Sequence, residues 1–461
     1  MLPSRAVLWK DRSLRFAMGA SATVAGALFG IIRNKWLATH LEASGLGVLA
    51  QITSGQAWLG MLAGMGMSLP VARAVGASGG VGDEALARRT VWTALTLAGG
   101  AAIVVAAAGL IFAEPISAAL LGTREHALLV RISMLGVAGI AYQGVFAGLF
   151  AGRSDLEANL TLALAGGLAS VAVTVALVPR WGLAGGALGL AVLAPVGVAF
   201  AVFRRRRSYT RTFSPASKPL LDSKLARATL AVGAAALTMS LVDLGTMLAV
   251  RAHYLRVNGI AANGLLQAAL ALSQQVGALF STYISSYAFG KVSALAGAGP
   301  TAETGVAEIR AYTRRHWTPL LALAALTVAS AMVASAPLLH LLYSSRFDAA
   351  RPLMAWALLG EFCRIGMNVW AVGALPIGGT RLWLPIALST SVGLGVMYAG
   401  LASMGVGALS LPLAYVGAGA FSLCFGGIAM SRAGVTLGRR EILVAAASVA
   451  ALAALAWRVA R

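Results

Sequence analysis

Long runs of apolar residues, separated by short polar connections, follow one another along the whole chain. Each run is close to the roughly 20 residues that an α-helix needs to cross about 30 Å of hydrocarbon. Gly and Ala occur throughout the runs and no period-two alternation is present, which favours helices over transmembrane strands. We therefore predict an all-α integral membrane protein with thirteen helical segments. These are residues 14–32, 46–69, 91–113, 127–149, 160–178, 182–203, 227–250, 262–286, 317–336, 352–375, 382–402, 407–431 and 441–457.

Composition and charge placement agree with this class. The chain of 461 residues is 59% hydrophobic and only 11% charged, whereas a soluble domain is about one quarter charged. The net charge of +21 is typical of nucleic-acid binding, but the cations are placed differently. With a cytoplasmic N-terminus, most Lys and Arg fall on inside connections, which predicts this orientation by the positive-inside rule. We expect anionic phospholipids as partners and no nucleic acid.

The longest basic interruption, residues 204–227, divides the chain nearly in half. Six predicted segments precede it and six follow, so both halves begin on the cytoplasmic side. This predicts two six-helix lobes related by a parallel pseudo-two-fold repeat, with one additional C-terminal helix. The predicted boundaries are an N-terminal lobe at 1–207, a basic cytoplasmic linker at 208–226, a C-terminal lobe at 227–432 and the extra helix at 433–461.

A basic motif at the outer end of the first helix recurs about 216 positions later. Arg33 and Lys35 lead through a Gly-rich turn to Gln51, and Arg251 leads through an Asn/Gly turn to Gln267. A repeat at fixed distance in so apolar a chain is typical of transporters, which pack two homologous bundles around a cavity. The paired cations indicate an anionic cargo.

Ionisable side chains inside the predicted segments carry the strongest functional signal, because charge is costly at membrane depth. They are Arg131 in the fourth segment, Asp243 in the seventh, and Glu361 and Arg364 in the tenth. Glu361 and Arg364 share one helix face, so they either form a structural ion pair or present Arg364 to an anionic headgroup. Asp243 either pairs with a more distant cation such as Arg251 or couples transport to protons. We assign Asp243 and Glu361 as coupling candidates.

Two other segments carry polar stripes. The eighth carries Gln267, Gln274, Ser281 and Ser285, and the second carries Gln51, Ser54 and Trp58. Helical spacing places each set on one side of its helix. Amides, hydroxyls and an indole can bind a sugar, and they can equally fasten helices together. We take Gln51, Gln267 and Gln274 as substrate-binding candidates.

Signatures of enzymes and of cofactors are missing from the sequence. The chain has no P-loop, HExxH motif, DxD-like cluster or Ser/His/Asp set, and its five histidines are isolated. Both cysteines, Cys363 and Cys424, lie inside predicted segments, which gives no disulfide or metal framework. We expect a secondary transporter without catalytic residues, cofactor or metal.

Three stretches resemble the polysaccharide-lipid flippases. The run Arg33–Gly47 is similar to their first-loop pattern, a basic residue and apolar stretch leading into a Leu-Gly turn. Leu358–Ile365 resembles the tenth-helix pattern of O-antigen and enterobacterial common antigen translocases, and Tyr343–Arg351 resembles the approach to it. The chain thus resembles the Wzx-like translocases of the multidrug, oligosaccharidyl-lipid and polysaccharide exporter superfamily.

This resemblance implies flipping of an undecaprenyl-pyrophosphate-linked oligosaccharide across the bacterial inner membrane, with cavity arginines attracting the pyrophosphate. Other glycan-assembly membrane proteins are implied as partners. The rivals are a multidrug or cation antiporter, which would need more acidic groups, and a lipid II flippase, which differs in cargo. Arg33 and Arg251 are expected to guide the headgroup near the exit, while Arg131 and Arg364 grip it deeper.

Overall fold

The computed structural model describes residues 5–78, 84–209, 223–298 and 302–460. It is 92% helical and contains no strand in these ranges, which confirms the predicted all-α class. The helices before residue 210 are α1 (Arg5–Gly64), α2 (Ser68–Ser78), α3 (Glu84–Ile111), α4 (Ala113–Leu121), α5 (Ala127–Gly152), α6 (Leu156–Trp181), α7 (Leu183–Ala191) and α8 (Leu193–Arg205). The later helices are α9 (Ser223–Asn258), α10 (Ile260–Tyr283), α11 (Phe289–Ala298), α12 (Ala302–Val333), α13 (Ser335–Leu342), α14 (Arg351–Trp370), α15 (Ala374–Ser403), α16 (Ser410–Arg432) and α17 (Arg439–Ala460). A π-helical turn covers Ile284–Ala288, and 3-10 turns cover Ser345–Ala350, Ala371–Gly373 and Gly407–Leu409.

A break in α1 divides it into two membrane-length helices. A straight helix of 60 residues would be about 90 Å long at 1.5 Å per residue, three times the thickness of a hydrocarbon core. Glu42 interrupts it with φ 58° and ψ −169°. The predicted first and second segments therefore lie on the two sides of this break.

All thirteen predicted segments lie on helices, yet fewer stretches meet the requirements for crossing a membrane by themselves. Eight stretches in the described ranges are long and apolar enough, or up to ten if each of two sharply bent pairs is one span. The difference of three has three physical causes. The part of α1 before Glu42 is continuous with the part after it, α14 and α15 run together through 345–403, and several amides lower the mean hydropathy of α10.

The order of elements repeats between the two halves, as the sequence predicted. Glu42 ends the first long helix with a positive φ, and Gly259 (φ 91°, ψ 164°) ends α9 in the same way 217 residues later. After each break come a long helix and a shorter one, the second part of α1 with α2 and later α10 with α11. A long helix followed closely by a short one comes next, first α3 and α4, later α12 and α13. Two further long helices follow in each case, α5 with α6 and α14 with α15.

The chain forms two compact units that divide between Ala252 and His253, inside α9. In the first unit a buried apolar cluster from α2, α3, α5, α6 and α8 includes Val91 and Leu149. In the second unit a corresponding cluster surrounds Ile309 and Met430. Most of the predicted linker at 208–226 lies outside the described residues.

Candidate functional site

A buried carboxylate, a guanidinium and a phenol meet between α14 and α16 of the second unit. Tyr415 of α16 donates its hydroxyl to Glu361 Oε2 at 2.7 Å, and Arg364 Nη1 donates to the same oxygen at 3.3 Å. Arg364 Nη1 also donates to the Tyr415 hydroxyl, and its guanidinium lies 5.2 Å from the centroid of the Tyr415 ring. We call Glu361, Arg364 and Tyr415 the Glu361 trio.

Small residues make room for this trio. Gly360, next to Glu361, packs directly on Tyr415, so that α14 and α16 approach closely. Gly277 of α10 lies against Glu361 Oε1. A Cβ at this position would collide with that oxygen, so only glycine fits without a shift of the carboxylate. The carboxylate is therefore enclosed by three helices, and α10 contributes the backbone that covers it.

The trio has an inner and an outer end. The Glu361 side chain is 7% exposed, whereas that of Arg364 is 30% exposed. A buried carboxylate without a cation would be strongly unfavourable, so Arg364 offsets the cost of burying the charge of Glu361. The geometry also fixes the direction of a partly exposed guanidinium, the group that binds carboxylates and phosphates bidentately. The arrangement of the trio is therefore compatible both with a structural ion pair and with an Arg364 that is presented to an anionic headgroup.

Polar side chains also fasten the second part of α1 to α9 within the first unit. Gln51 Nε2 donates to the Leu248 carbonyl at 3.2 Å, and Trp58 Nε1 donates to the Leu241 carbonyl at 3.1 Å. Gln51 is fully buried. The second-segment stripe therefore serves helix contact in this conformation.

Arg33 is tied to the interior of the first unit. Its Nη1 donates to the Ser170 hydroxyl of α6 at 3.2 Å, and Ser170 in turn donates to the Gly189 carbonyl of α7. Lys35, two residues later on α1, is exposed. The two basic residues of the first motif thus lie in different surroundings, and Arg33 orients three helices.

The other predicted charges vary in depth and exposure. Arg251 is 5% exposed near the end of α9, and Asp243 lies two turns earlier with an exposed side chain. Arg131 is exposed and lies only one turn after the start of α5 at Ala127. The predicted segment 127–149 and α5 begin at the same residue, so Arg131 lies one turn inside the helix, and its role in binding stays a prediction.

The side chains of the polar stripe of α10 are partly or fully exposed. Gln267 is half-buried, and Gln274 and Ser281 are exposed. The Ser285 side chain lies outside the described residues. Gly277, three residues after Gln274 and therefore next to it on the helix surface, is buried and contacts the Glu361 trio. Helix α10 therefore carries partly exposed amides and also covers one side of the Glu361 trio.

One arginine of the basic run 204–207 has a structural role at the end of the first unit. Arg205 Nη2 donates to Asp155 Oδ1 at 2.8 Å, and the Tyr209 hydroxyl donates to Asp155 Oδ2 at 2.8 Å. Asp155 also caps α6 by accepting from the Ala158 N–H. Burial opposes ionisation, but these hydrogen bonds outweigh it and hold the pKa of Asp155 below its ordinary value. Arg205 thus joins the ends of α6 and α8.

Sequence reasoning missed Tyr415, Gly277 and Ser170. Tyr415 lies 51 residues after Arg364, and Ser170 lies 137 residues after Arg33, so no local spacing connects them. Gly277 and Ser170 resemble many other small residues of the helices. Across the described ranges, no group of three or more His, Cys, Asp and Glu side chains is arranged to hold a metal ion.

Solved structures with the same architecture define the class. The lipid II flippase MurJ in an inward closed conformation superimposes with a TM-score of 0.72 at 12% identity, over 95% of this chain and 92% of that one. An inward-facing multidrug resistance MATE family transporter of the MOP superfamily gives 0.64 at 15% identity, over 92% of this chain and 100% of that one. The chain is therefore a multi-pass membrane protein with a MATE- and MurJ-like transporter fold.

Curated relatives narrow the comparison. The lipid III flippase of Escherichia coli K12 is 25% identical over 386 residues, which cover 83% of this chain and 87% of that protein. The lipid III flippase of Shigella flexneri matches with the same identity and coverage. No family model matches this chain. These relatives and structural neighbours are flippases and transporters and not enzymes, and their likeness to this chain supports a flippase or transporter.

Proposed function

We propose that this chain is a secondary transporter that flips an undecaprenyl-pyrophosphate-linked oligosaccharide by alternating access. The cargo class is an O-antigen or related surface-glycan repeat unit, moved from the cytoplasmic to the periplasmic leaflet. The Glu361 trio carries the proposal, because it holds a partly exposed guanidinium inside a helical unit of a transporter fold. Similarity to the lipid III flippases supports a lipid-linked saccharide as cargo.

The charge of the cargo matches the trio. A pyrophosphate carries its negative charge on oxygens that guanidinium groups bind bidentately. Arg364 receives these oxygens in our proposal, and Arg33, Lys35, Arg131 and Arg251 act along the approach and exit. Glu361 and Asp243 are the coupling candidates. The amides of α10, half-buried Gln267 and exposed Gln274, bind sugar hydroxyls while the polyprenyl tail stays in lipid.

The membrane setting belongs to the same proposal. The protein works in the bacterial cytoplasmic membrane with its N-terminus inside, and residues 1–207 and 227–432 act as the two lobes of the cycle. Anionic phospholipids contact the basic connections. Other glycan-assembly membrane proteins supply or receive the cargo.

Two rivals differ from this proposal in cargo. A multidrug or cation antiporter has the fold in its favour, since the MATE transporters share it. A lipid II flippase has the MurJ likeness in its favour. The partly exposed charge of the trio is a cation, which opposes a cationic drug as cargo but does not separate lipid II from an oligosaccharide carrier.

Deletion of the gene in the source bacterium distinguishes the proposed function from its two rivals. Mass spectrometry of the lipid fraction identifies which lipid-linked saccharide accumulates. We expect an undecaprenyl-pyrophosphate oligosaccharide together with loss of the matching surface glycan, and re-expression of the chain restores both. Accumulation of lipid II indicates the second rival. Unchanged lipids with increased drug sensitivity would contradict the proposal and favour the first.

A further inference from the structure

Helix α8 buries one face in the first unit and carries an apolar groove on the other. Ala194, Gly197 and Ala201 are buried where the helix packs against α5 and α6. The opposite face has a shallow groove of about 410 Å³. The groove is lined by Pro195, Val196, Ala199, Phe200 and Phe203. This spacing places the side chains on one side of a helix, so the groove runs along the helix.

The groove has the length of one membrane leaflet. Helix α8 belongs to a stretch, Leu183–Arg205, that is long and apolar enough to cross a membrane. From Pro195 to Arg206 the helix rises by about 16 Å, and half of a hydrocarbon core of about 30 Å is about 15 Å. The groove therefore begins near the middle of the bilayer and ends at its surface, where the basic run 204–207 lies.

A guanidinium lies at the surface end of the groove. The Arg206 guanidinium carbon is 4.5 Å from the centroid of the Phe203 ring, the last ring of the groove. A guanidinium over an aromatic ring is attracted by the ring face. Its N–H donors lie in its own plane and can bind a phosphate at the same time. The groove thus combines an apolar track with a phosphate-binding cation at one end.

Ion pairs hold the basic run in the orientation that places Arg206 above the groove. Arg205 falls on the buried face of α8, and its Nη2 and Nη1 lie 2.8 Å from Asp155 Oδ1 and 3.1 Å from Glu157 Oε2. Arg204 Nη2 lies 3.7 Å from Glu157 Oε1. These contacts fasten the end of α8 to the start of α6. The arginines of the run are therefore not equivalent, because two of them have acidic partners while Arg206 faces the groove.

We propose that this groove and Arg206 bind one anionic phospholipid, with its phosphate on Arg206 and one acyl chain along the groove. A cation at the membrane surface attracts anionic lipids. An acyl chain spans one leaflet, as the groove does, whereas the polyprenyl chain of the cargo is far longer. The proposal names a site for the phospholipid contact that the proposed function includes, and it does not depend on the cargo. The alternative is that all membrane lipids cover α8 equally.

Quenching of one added tryptophan tests the site. Phe200→Trp keeps a ring in the groove, and subtraction of the parent protein's emission isolates its fluorescence. The full-length protein is reconstituted in phosphatidylcholine liposomes in which a share of either phosphatidylglycerol or phosphatidylcholine has brominated acyl chains, which quench tryptophan at short range. Phosphatidylglycerol should give half-maximal quenching at an about fivefold lower fraction, because one surface cation contributes an attraction of this size. Phe112→Trp, which replaces another exposed phenylalanine, is the control and should show no preference.

Removal of single charges identifies the cation. Combined with Phe200→Trp, Arg206→Gln should abolish the preference for phosphatidylglycerol, since the amide is polar but uncharged. Arg180→Gln, exposed at the end of α6, removes an equal charge from the same unit and should leave the preference unchanged. A preference that persists in Arg206→Gln, or that appears equally at position 112, overturns the proposal.

A competing lipid distinguishes a phospholipid from the cargo as the occupant. Unbrominated undecaprenyl phosphate and unbrominated phosphatidylglycerol are each added to the quenched Phe200→Trp protein, and phosphatidylglycerol should relieve quenching at the lower fraction. Stronger relief by undecaprenyl phosphate would assign the groove to the cargo lipid and overturn the proposal. A protein that keeps the preference but moves no lipid-linked saccharide contradicts the proposed function alone. Normal transport without any preference contradicts the phospholipid site alone.

Discussion

Two helices that occupy equivalent places in the repeat use their amides differently. Both come after a positive-φ break, at Glu42 and at Gly259, and both carry glutamines on one side. In the first, Gln51 is buried and bonded to α9. In the second, Gln274 is exposed, and Gly277, three residues later on the same helix, covers Glu361. The same sequence pattern thus gives a fastened helix in one half and a helix beside the candidate site in the other.

The difference shows that a polar stripe specifies a face but not its partner. Whether an amide is buried depends on what packs against it. Here α9 supplies two carbonyls at the spacing of Gln51 and Trp58. A functional asymmetry between halves should therefore appear when equivalent positions are changed.

The largest effect is expected at Arg364, beside the second helix. Arg364→Ala removes the guanidinium proposed to bind the pyrophosphate. Hydrogen bonds to charged groups contribute about 1.5–3 kcal/mol, so transport in membrane vesicles should fall by about ten- to hundredfold. Arg432→Ala, at the end of α16, is the control and should retain transport. Wild-type transport by Arg364→Ala would remove this residue from the site.

Paired substitution separates a structural ion pair from a cargo contact. Glu361→Gln with Arg364→Gln removes both charges together and leaves two amides that can bond to each other and to Tyr415. Because no buried charge is left alone, the protein should reach the membrane in normal amount. Transport should remain as low as in Arg364→Ala. Recovery of transport in the double variant would mean that the pair is only structural.

A glycine substitution tests whether α10 positions Glu361. Gly277→Ala places a methyl group against Glu361 Oε1 and should displace the trio, lowering transport about tenfold, since overpacking costs about 1–3 kcal/mol. Gly400→Ala on α15 is the matched control, because nothing lies within 4 Å of the added Cβ. Equal transport in the two variants would show that α10 can shift without affecting the site.

A smaller effect is expected to distinguish the helix that is fastened to α9 from the helix that carries an exposed amide. Trp58→Phe keeps a ring but loses the bond to the Leu241 carbonyl, which should lower stability in detergent by about 0.6 kcal/mol, the average for such bonds between membrane helices. Gln274→Ala should leave thermal stability unchanged and reduce transport. A loss of stability in Gln274→Ala, together with unchanged stability in Trp58→Phe, would contradict the proposed difference between the two helices.

The smallest effect is expected at the two breaks. Glu42 holds a left-handed φ that glycine adopts without strain, and the equivalent Gly259 already has the suitable residue. Glu42→Gly should therefore raise the unfolding temperature only slightly, because relief of about 1 kcal/mol of backbone strain is mostly offset by the greater chain entropy of glycine in the unfolded state, about 0.5–1 kcal/mol. Gly259→Ala should lower the unfolding temperature. Reversed signs would show that the two breaks are not equivalent.

The sequence was sufficient for the helices because apolar length and the absence of alternation decide that class. It also placed Glu361 and Arg364 on one face, since three residues of helix determine their relation. It could not find Tyr415 or the carbonyl partners of Gln51, because contacts between distant helices leave no local spacing. Burial of Gln51 and exposure of Gln274 likewise depend on packing, and nothing in the two stripes distinguishes them.

Reconstitution in liposomes tests most directly whether a cation held by the Glu361 trio moves a lipid-linked pyrophosphate. Purified protein is reconstituted with a fluorescent polyprenyl-pyrophosphate oligosaccharide, and exchange between leaflets is measured by quenching with a membrane-impermeant reagent. Wild-type protein should make the whole lipid pool accessible, while the Glu361→Gln, Arg364→Gln variant should leave about half of it protected, as in protein-free liposomes. Equal exchange by the two proteins would contradict this role of the trio.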